Sequence, residues 1–213
     1  MIVAIDGPAG AGKSTVARRL AERLEFSYLD TGAMYRALTW LALQRAFDLS
    51  DGERLGQLAR ENPVSFEGEG ESRVFIAGTD VTAAIRRTQV DRMVPVVARH
   101  PQVREVMRQR QRDLGHRRDV VIEGRDIGTV VAPDAEVKIY LIADPKIRAE
   151  RRLAERPEIG GDALATDLRL RDESDAARMR PAADAHEIDT TSLHVDDVVG
   201  QIEELVRAVR QPA

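Results

Sequence analysis

The run Gly7-Pro8-Ala9-Gly10-Ala11-Gly12-Lys13-Ser14-Thr15 follows the apolar stretch Met1–Ile5 and precedes Val16, Ala17, Leu20, Ala21 and Leu24 at helical spacing. Spelled G-x-x-x-x-G-K-[ST] between a strand pattern and a helix pattern, it demands a tight glycine loop that opens a helix. Glycines let the backbone curl so that successive N–H groups face one anion, and the positive end of the helix dipole adds to the attraction. Lys13 supplies a mobile positive charge and Ser14 an oxygen ligand for magnesium. The segment Gly7–Thr15 is therefore expected to hold the phosphates of a nucleotide.

Further apolar runs rich in β-branched residues fall at Val120–Ile122 and Val137–Ile142, each near helical stretches, with weaker candidates at Phe26–Leu29 and Glu187-Ile188. Strands alternating with helices predict an α/β fold built on a parallel sheet. Ser192 is expected to cap a last helix whose Val195, Val198, Val199, Ile202, Leu205, Val206 and Val209 form one apolar stripe. Between residues 62 and 82 the texture changes to alternation around a Gly/Glu turn, which predicts a small antiparallel insertion.

The 213 residues suit one domain carrying an insertion. With 32 Lys+Arg against 36 Asp+Glu, no overall basic excess points to nucleic acid or to an anionic membrane. Cysteine is absent, which removes thiolate metal sites and a Cys nucleophile. The start has no signal-peptide pattern and no run suits a membrane span, so a cytoplasmic protein is expected; a monomer is the separate expectation for its assembly. Only Lys13, Lys138 and Lys146 are lysines. The other basic residues are arginines, a supply suited to a second anionic substrate.

A guanine reader of the form Asn-Lys-x-Asp is missing, since the one asparagine is Asn62, and so is the Leu-Ser-Gly-Gly-Gln signature of transporter ATPases. The residues alone therefore favour a small-molecule kinase. They leave open another metabolite kinase of the same loop class, and a nucleotide-dependent switch.

Four further segments follow the loop in order: Leu29-Asp-Thr-Gly-Ala-Met-Tyr35-Arg36, Val103-Arg104-Glu105, Glu123-Gly-Arg125-Asp126-Ile-Gly-Thr129 and Arg171-Asp-Glu-Ser-Asp175-Ala-Ala-Arg178. With Val130-Val-Ala-Pro-Asp-Ala and Pro181-Ala-Ala-Asp-Ala, the set resembles the bacterial cytidylate kinases nearly end to end. The resemblance implies a nucleoside-monophosphate-kinase fold with a five-stranded parallel sheet. It also implies transfer of a phosphoryl group from ATP, with Mg2+, to CMP or dCMP. A core of residues 1–30 and 102–213 would carry a lid near 145–165, and residues 31–101 would form the monophosphate-binding insertion.

By that resemblance Arg36, Arg125 and Arg178 hold the acceptor phosphate, Arg171 lies nearer the transferring group, Asp175 takes the ribose hydroxyls, and Thr31 and Tyr35 belong to the acceptor site. Asp175 follows Arg171 by four residues and precedes Arg178 by three, so on a helix the three would share a face. Asp126 would read the cytosine amino group and Arg104 the ring nitrogen. Glu123, where the family more often has Asp, would join Ser14 in the magnesium environment. Pro95 stands where a serine usually touches the base, which implies a softer rejection of UMP. Bringing two polyanions together is repulsive, so Lys13, Arg125, Arg171 and Arg178 are the expected catalytic set. Arg148 and Arg152, ahead of Gly160-Gly161, are expected to reach ATP phosphates from the lid. His100, His116, His186 and His194 show no metal-ligand spacing.

Overall fold

Five consecutive buried residues, Ile2–Asp6, form β1. An apolar run with no alternation is what a central parallel strand needs, because both of its faces are covered. The structure is a computed structural model that describes residues 1–68, 73–155, 166, 169–170, 172–173, 175–176 and 179–210.

After the phosphate loop comes α1, Lys13–Leu24, which buries Val16, Ala17, Leu20 and Ala21, and then β2, Ser27–Asp30. Helices α2, Thr31–Gln44, and α3, Gly52–Glu61, follow. Strands β3, Ser65–Glu67, β4, Arg73–Ile76, and β5, Thr79–Asp80, make a separate antiparallel sheet. The expected insertion is thus present, although part of its Gly/Glu turn lies outside the described residues. Helices α4, Thr88–Ala98, and α5, Pro101–Gly115, lead back to β6, Val120–Glu123, and β7, Val137–Ile142. Helix α6, Pro145–Glu155, β8, His186–Asp189, and α7, Val195–Arg210, complete the chain.

The main sheet has five strands in the order β2-β6-β1-β7-β8. β1 pairs in parallel with β6 and β7, and β7 in parallel with β8. The register sets Ile5 beside Glu123 and Asp6 beside Tyr140, so the ends of β1 and β6 deliver polar side chains to one edge. In open parallel sheets the carboxyl edge, where connections leave in opposite directions, is where ligands bind.

Two compact units divide the chain. Residues Met1–Tyr28 with Arg118–Ala213 form one, and Leu29–Arg117 the other. The first is centred on Val3, Ile5, Leu20, Val121, Ile139 and Leu141, with Val199, Ile202 and Val206 of α7 packed on them. Burying each such aliphatic side chain contributes about 1.5–3 kcal/mol. The second unit runs through α5 to Arg117, because α5 packs on α3. A helical stripe tells that a face is buried but not against what.

Ser192 does not cap α7. His194 takes that place: its carbonyl receives the N–H groups of Asp197 and Val198, and its own N–H donates to Asp197 Oδ2 at 3.1 Å. A third-position carboxylate that reaches back to the cap satisfies the same orphan donor that a serine cap would leave. Among the described residues no helix is long and apolar enough to cross a membrane.

Candidate active site

Three glycines shape the phosphate loop. Gly7 has φ 143°, Gly10 φ 80° and Gly12 φ 90°, all on the side of backbone space that side chains disfavour. Two also admit no Cβ. One on Gly7 would lie 2.2 Å from Leu141 O, and one on Gly10 2.8 Å from Arg148 O. Strand β7 and helix α6 therefore press directly on the loop backbone. Gly12 occupies the cap position of α1 without a side-chain cap, so the N–H groups that open the helix stay with the loop.

Lys13 begins α1 with its side chain folded over the loop, and Nζ donates to Pro8 O at 2.7 Å. Burial pushes the Lys13 ammonium down to about 7; nearby Arg125 adds to the shift, and Glu123, Asp6 and Asp175 oppose it. The charged form is disfavoured until an anion arrives. A bound triphosphate is expected to raise the pKa again, so above pH 7 nucleotide binding is expected to take up a proton. At about pH 8.5 uptake is expected to approach one proton per ATP, and affinity is expected to fall as pH rises from 7. Calorimetry in buffers of different ionisation enthalpy reads the proton directly. Uptake near zero at that pH would contradict the assignment.

Glu123, 4% exposed, ends β6 and uses both carboxylate oxygens. Ser14 Oγ donates to Oε2 at 2.9 Å, and the buried Tyr28 hydroxyl donates to Oε1. A hydroxyl hydrogen-bonded to a carboxylate is a set of hard oxygen donors, too small to cage a metal by itself. Among the described residues no group of three His, Cys, Asp or Glu side chains could hold one. Such a pair would suit magnesium, which keeps most of its ligands as water and substrate phosphate. The extra methylene of Glu123 therefore does not remove the carboxylate from Ser14.

Asp6, at the end of β1, accepts from the N–H groups of Ile127 and Gly128 at 2.9 and 2.8 Å. Burial raises its pKa against the lowering effect of those two bonds. It anchors the turn that carries Arg125 and Asp126. Arg125 Nη1 donates to Gly7 O at 3.1 Å, and its Nε to Asp175 Oδ2 at 3.0 Å. Arg148 Nη1 reaches Ala9 O at 3.1 Å and Asp172 Oδ2 at 2.7 Å. The first unit thus brings together Lys13, Ser14, Glu123, Arg125, Arg148 and Asp175. Asp126 adjoins Arg125 on the same turn, Thr15 belongs to α1, and Arg152 to α6. Arg171, Arg178 and Gly160-Gly161 lie outside the described residues.

In the second unit Asp30 caps α2 by accepting from Ala33 N at 2.8 Å, and its other oxygen receives Arg36 Nη2 at 2.7 Å. One carboxylate thereby starts the helix and aims its arginine. Thr31 is buried and Tyr35 half-buried on the same helix, and Arg104 is half-buried on α5. His100 and His116 contact the backbone carbonyls of Leu49 and Arg112.

Asp6, Tyr28, Asp30 and Asp172 were not singled out by sequence reasoning. Only Asp30 left a local signal, an acceptor three residues before the amide it caps. The others acquire meaning once parallel strands set their ends side by side.

A glycine loop at the carboxyl edge of this sheet, with a buried lysine, a hydroxyl–carboxylate pair and converging arginines, defines a P-loop phosphotransferase. The family model for cytidylate kinase matches residues 3–208, and the chain belongs to that family. A relative named cytidylate kinase from Shouchella clausii (strain KSM-K16) is 48% identical over 214 residues, covering 96% of this chain and 95% of its own. One of that name from Bacillus subtilis (strain 168) is 46% identical over 213 residues, covering 96% and 95%. Among solved structures, a gluconokinase from Sinorhizobium meliloti 1021 superposes with TM-score 0.53 at 14% identity, covering 98% of this chain and 93% of its own. A shikimate kinase from Bacteroides thetaiotaomicron does so with TM-score 0.52 at 17% identity, covering 97% and 98%. These two share the fold.

Proposed function

We propose that the chain transfers the γ-phosphoryl group of ATP to the 5′-phosphate of CMP or dCMP, giving ADP and CDP or dCDP. The observation that carries this reading is the phosphate loop with Lys13, Arg125 and the Ser14–Glu123 pair gathered around it, in a chain of the cytidylate kinase family.

The acceptor is a phosphate oxygen, already ionised at neutral pH, so no general base is needed. The task is alignment and charge cancellation between two polyanions. Loop amides and Lys13 hold the β- and γ-phosphates. Arg125, with Arg171 and Arg178, stabilises the equatorial oxygens as the P–O bond to ADP breaks and the bond to CMP forms. Arg36, aimed by Asp30, is proposed to take the acceptor phosphate, and Arg148 and Arg152 those of ATP. Ser14 and Glu123 would hold magnesium, which when bound spreads charge off the phosphate oxygens. Thr31, Tyr35 and Asp175 are proposed to position the acceptor nucleotide.

Base choice follows from polarity. Asp126 accepts from the amino group of cytosine and Arg104 donates to its ring nitrogen, whereas uracil would turn O4 toward a carboxylate. Pro95, inside α4, offers no hydroxyl to reinforce that contrast. Release of ADP from magnesium-ATP, measured with CMP, dCMP, UMP, AMP or shikimate singly and with no acceptor, tests the reading. CMP and dCMP are expected to exceed UMP by roughly tenfold or more in kcat/KM. An inert CMP beside an active second acceptor would overturn it.

A further inference from the structure

The phosphate loop is braced at the Ala11 carbonyl by a residue that no part of the phosphoryl-transfer reading uses. Thr190 follows β8 directly and is 3% exposed. Its backbone N–H donates to Ile142 O at 2.8 Å. Its hydroxyl lies 3.0 Å from Ala11 O and 3.1 Å from Ile142 O. Arg151 of α6 grips it with a fork: Nη1 to Thr190 Oγ1 at 3.0 Å and Nη2 to Thr190 O at 2.6 Å.

A hydroxyl has one proton. Arg151 donates to the Thr190 oxygen, which leaves that proton to be given away, and Ile142 O already receives the Thr190 backbone N–H. Ala11 O, the nearer of the two carbonyls at 3.0 Å and without that N–H, is the acceptor assigned to the hydroxyl. That carbonyl sits between Gly10 at φ 80° and Gly12 at φ 90°. The Ala11–Gly12 peptide turns on Ala11 ψ and Gly12 φ, and the glycine torsion, already at positive φ, leaves the orientation to whatever holds the carbonyl. A trans peptide points C=O and N–H in opposite directions. Holding the Ala11 carbonyl toward Thr190 therefore turns the Gly12 N–H the other way, away from Thr190.

We infer that Thr190, locked by Arg151, is a positioning residue for the phosphate loop, setting the Ala11–Gly12 peptide so that the Gly12 N–H faces the nucleotide phosphates. The inference rests on the ATP reading of the loop. It adds a tie between α6 and nucleotide affinity, because α6 also meets the loop through Arg148.

The test compares Thr190→Val, which keeps the shape and loses the hydroxyl, with Thr190→Ser, which keeps the hydroxyl. Calorimetric titration with magnesium-ATP is expected to show Kd raised about tenfold in Thr190→Val and within about twofold of wild type in Thr190→Ser. KM for ATP should follow Kd, while KM for CMP stays within about twofold in both, a split that general loosening of the fold would not give. Arg151→Met is expected to weaken ATP binding about threefold in the same pattern, and it decides the matter should Thr190→Val fail to fold. Wild-type ATP affinity in Thr190→Val, or equal losses in the valine and serine variants, would overturn the positioning role alone. A wild-type protein that binds no ATP would overturn the reading of the loop as well.

Discussion

Replacing Arg125 with alanine is expected to lower kcat by about a thousandfold while ATP affinity changes by less than about fivefold, because an arginine on a transferring phosphoryl group acts chiefly in the transition state. The side chain has the connections such a role needs. Gly7 O and Asp175 fix its Nη1 and Nε, so the guanidinium is held in a set direction before it meets substrate. Its loss leaves Lys13 and the loop amides in place, and they carry ATP. A second effect checks the geometry independently. Arg125 is, after burial, the largest influence holding the Lys13 ammonium down. Arg125→Ala should therefore raise the lysine's pKa, and proton uptake on ATP binding at about pH 8.5 should shrink. Steady-state kinetics and calorimetry on one protein sample test both. A variant that loses ATP binding in proportion to kcat would show that Arg125 serves the loop and not the transfer.

Lys13→Met should be as damaging to chemistry but in a different pattern, with ATP affinity and kcat falling together by about a hundredfold or more, since the ammonium touches both ground and transition states. Its effect on stability runs the other way. Lys13 is 7% exposed, and burial disfavours its charged form. Between pH 7 and the ordinary lysine value the unfolded chain holds this proton and the folded chain does not, so wild-type stability should rise with pH across that window. The methionine variant lacks this contribution. At about pH 6, where wild type must keep a buried ammonium, Lys13→Met is expected to melt at or above the wild-type Tm. Thermal unfolding at about pH 6 and pH 9 measures the difference. A variant that is less stable than wild type at both values would contradict the burial account of Lys13.

Much of this architecture was legible because buried parallel strands write themselves as unbroken apolar runs. β7 occupies the predicted Val137–Ile142, and β6 exceeds the predicted run by Glu123 alone. That added residue is the one whose carboxylate meets Ser14, and a charged side chain closing an apolar run reads as the strand's end. Edge strands carry less apolar signal, so β2 and β8 were visible only as weak candidates. Helix α5 shows the limit of local pattern: it packs on α3 across the β3–β5 insertion, a pairing that no local pattern encodes.

The site was legible where chemistry is local and hidden where it depends on register. Glycine spacing announced the loop, and ordered arginine motifs announced Arg36 and Arg125. Asp6 and Tyr28 look like any polar residue ending or entering a strand. Their meaning comes from β6 lying beside β1, which sets Glu123 level with Ile5 and the following turn over Asp6. Thr190 is further removed, since its contact with Ala11 joins the two ends of the chain's first unit.

The most direct test of the central claim follows the phosphoryl group itself. Protein incubated with CMP and magnesium-ATP labelled in the γ-phosphate should place the label in the β-phosphate of CDP, and without CMP the label should stay in ATP. Label that emerges as inorganic phosphate at the same rate with and without CMP would show that water is the acceptor, and would contradict the account.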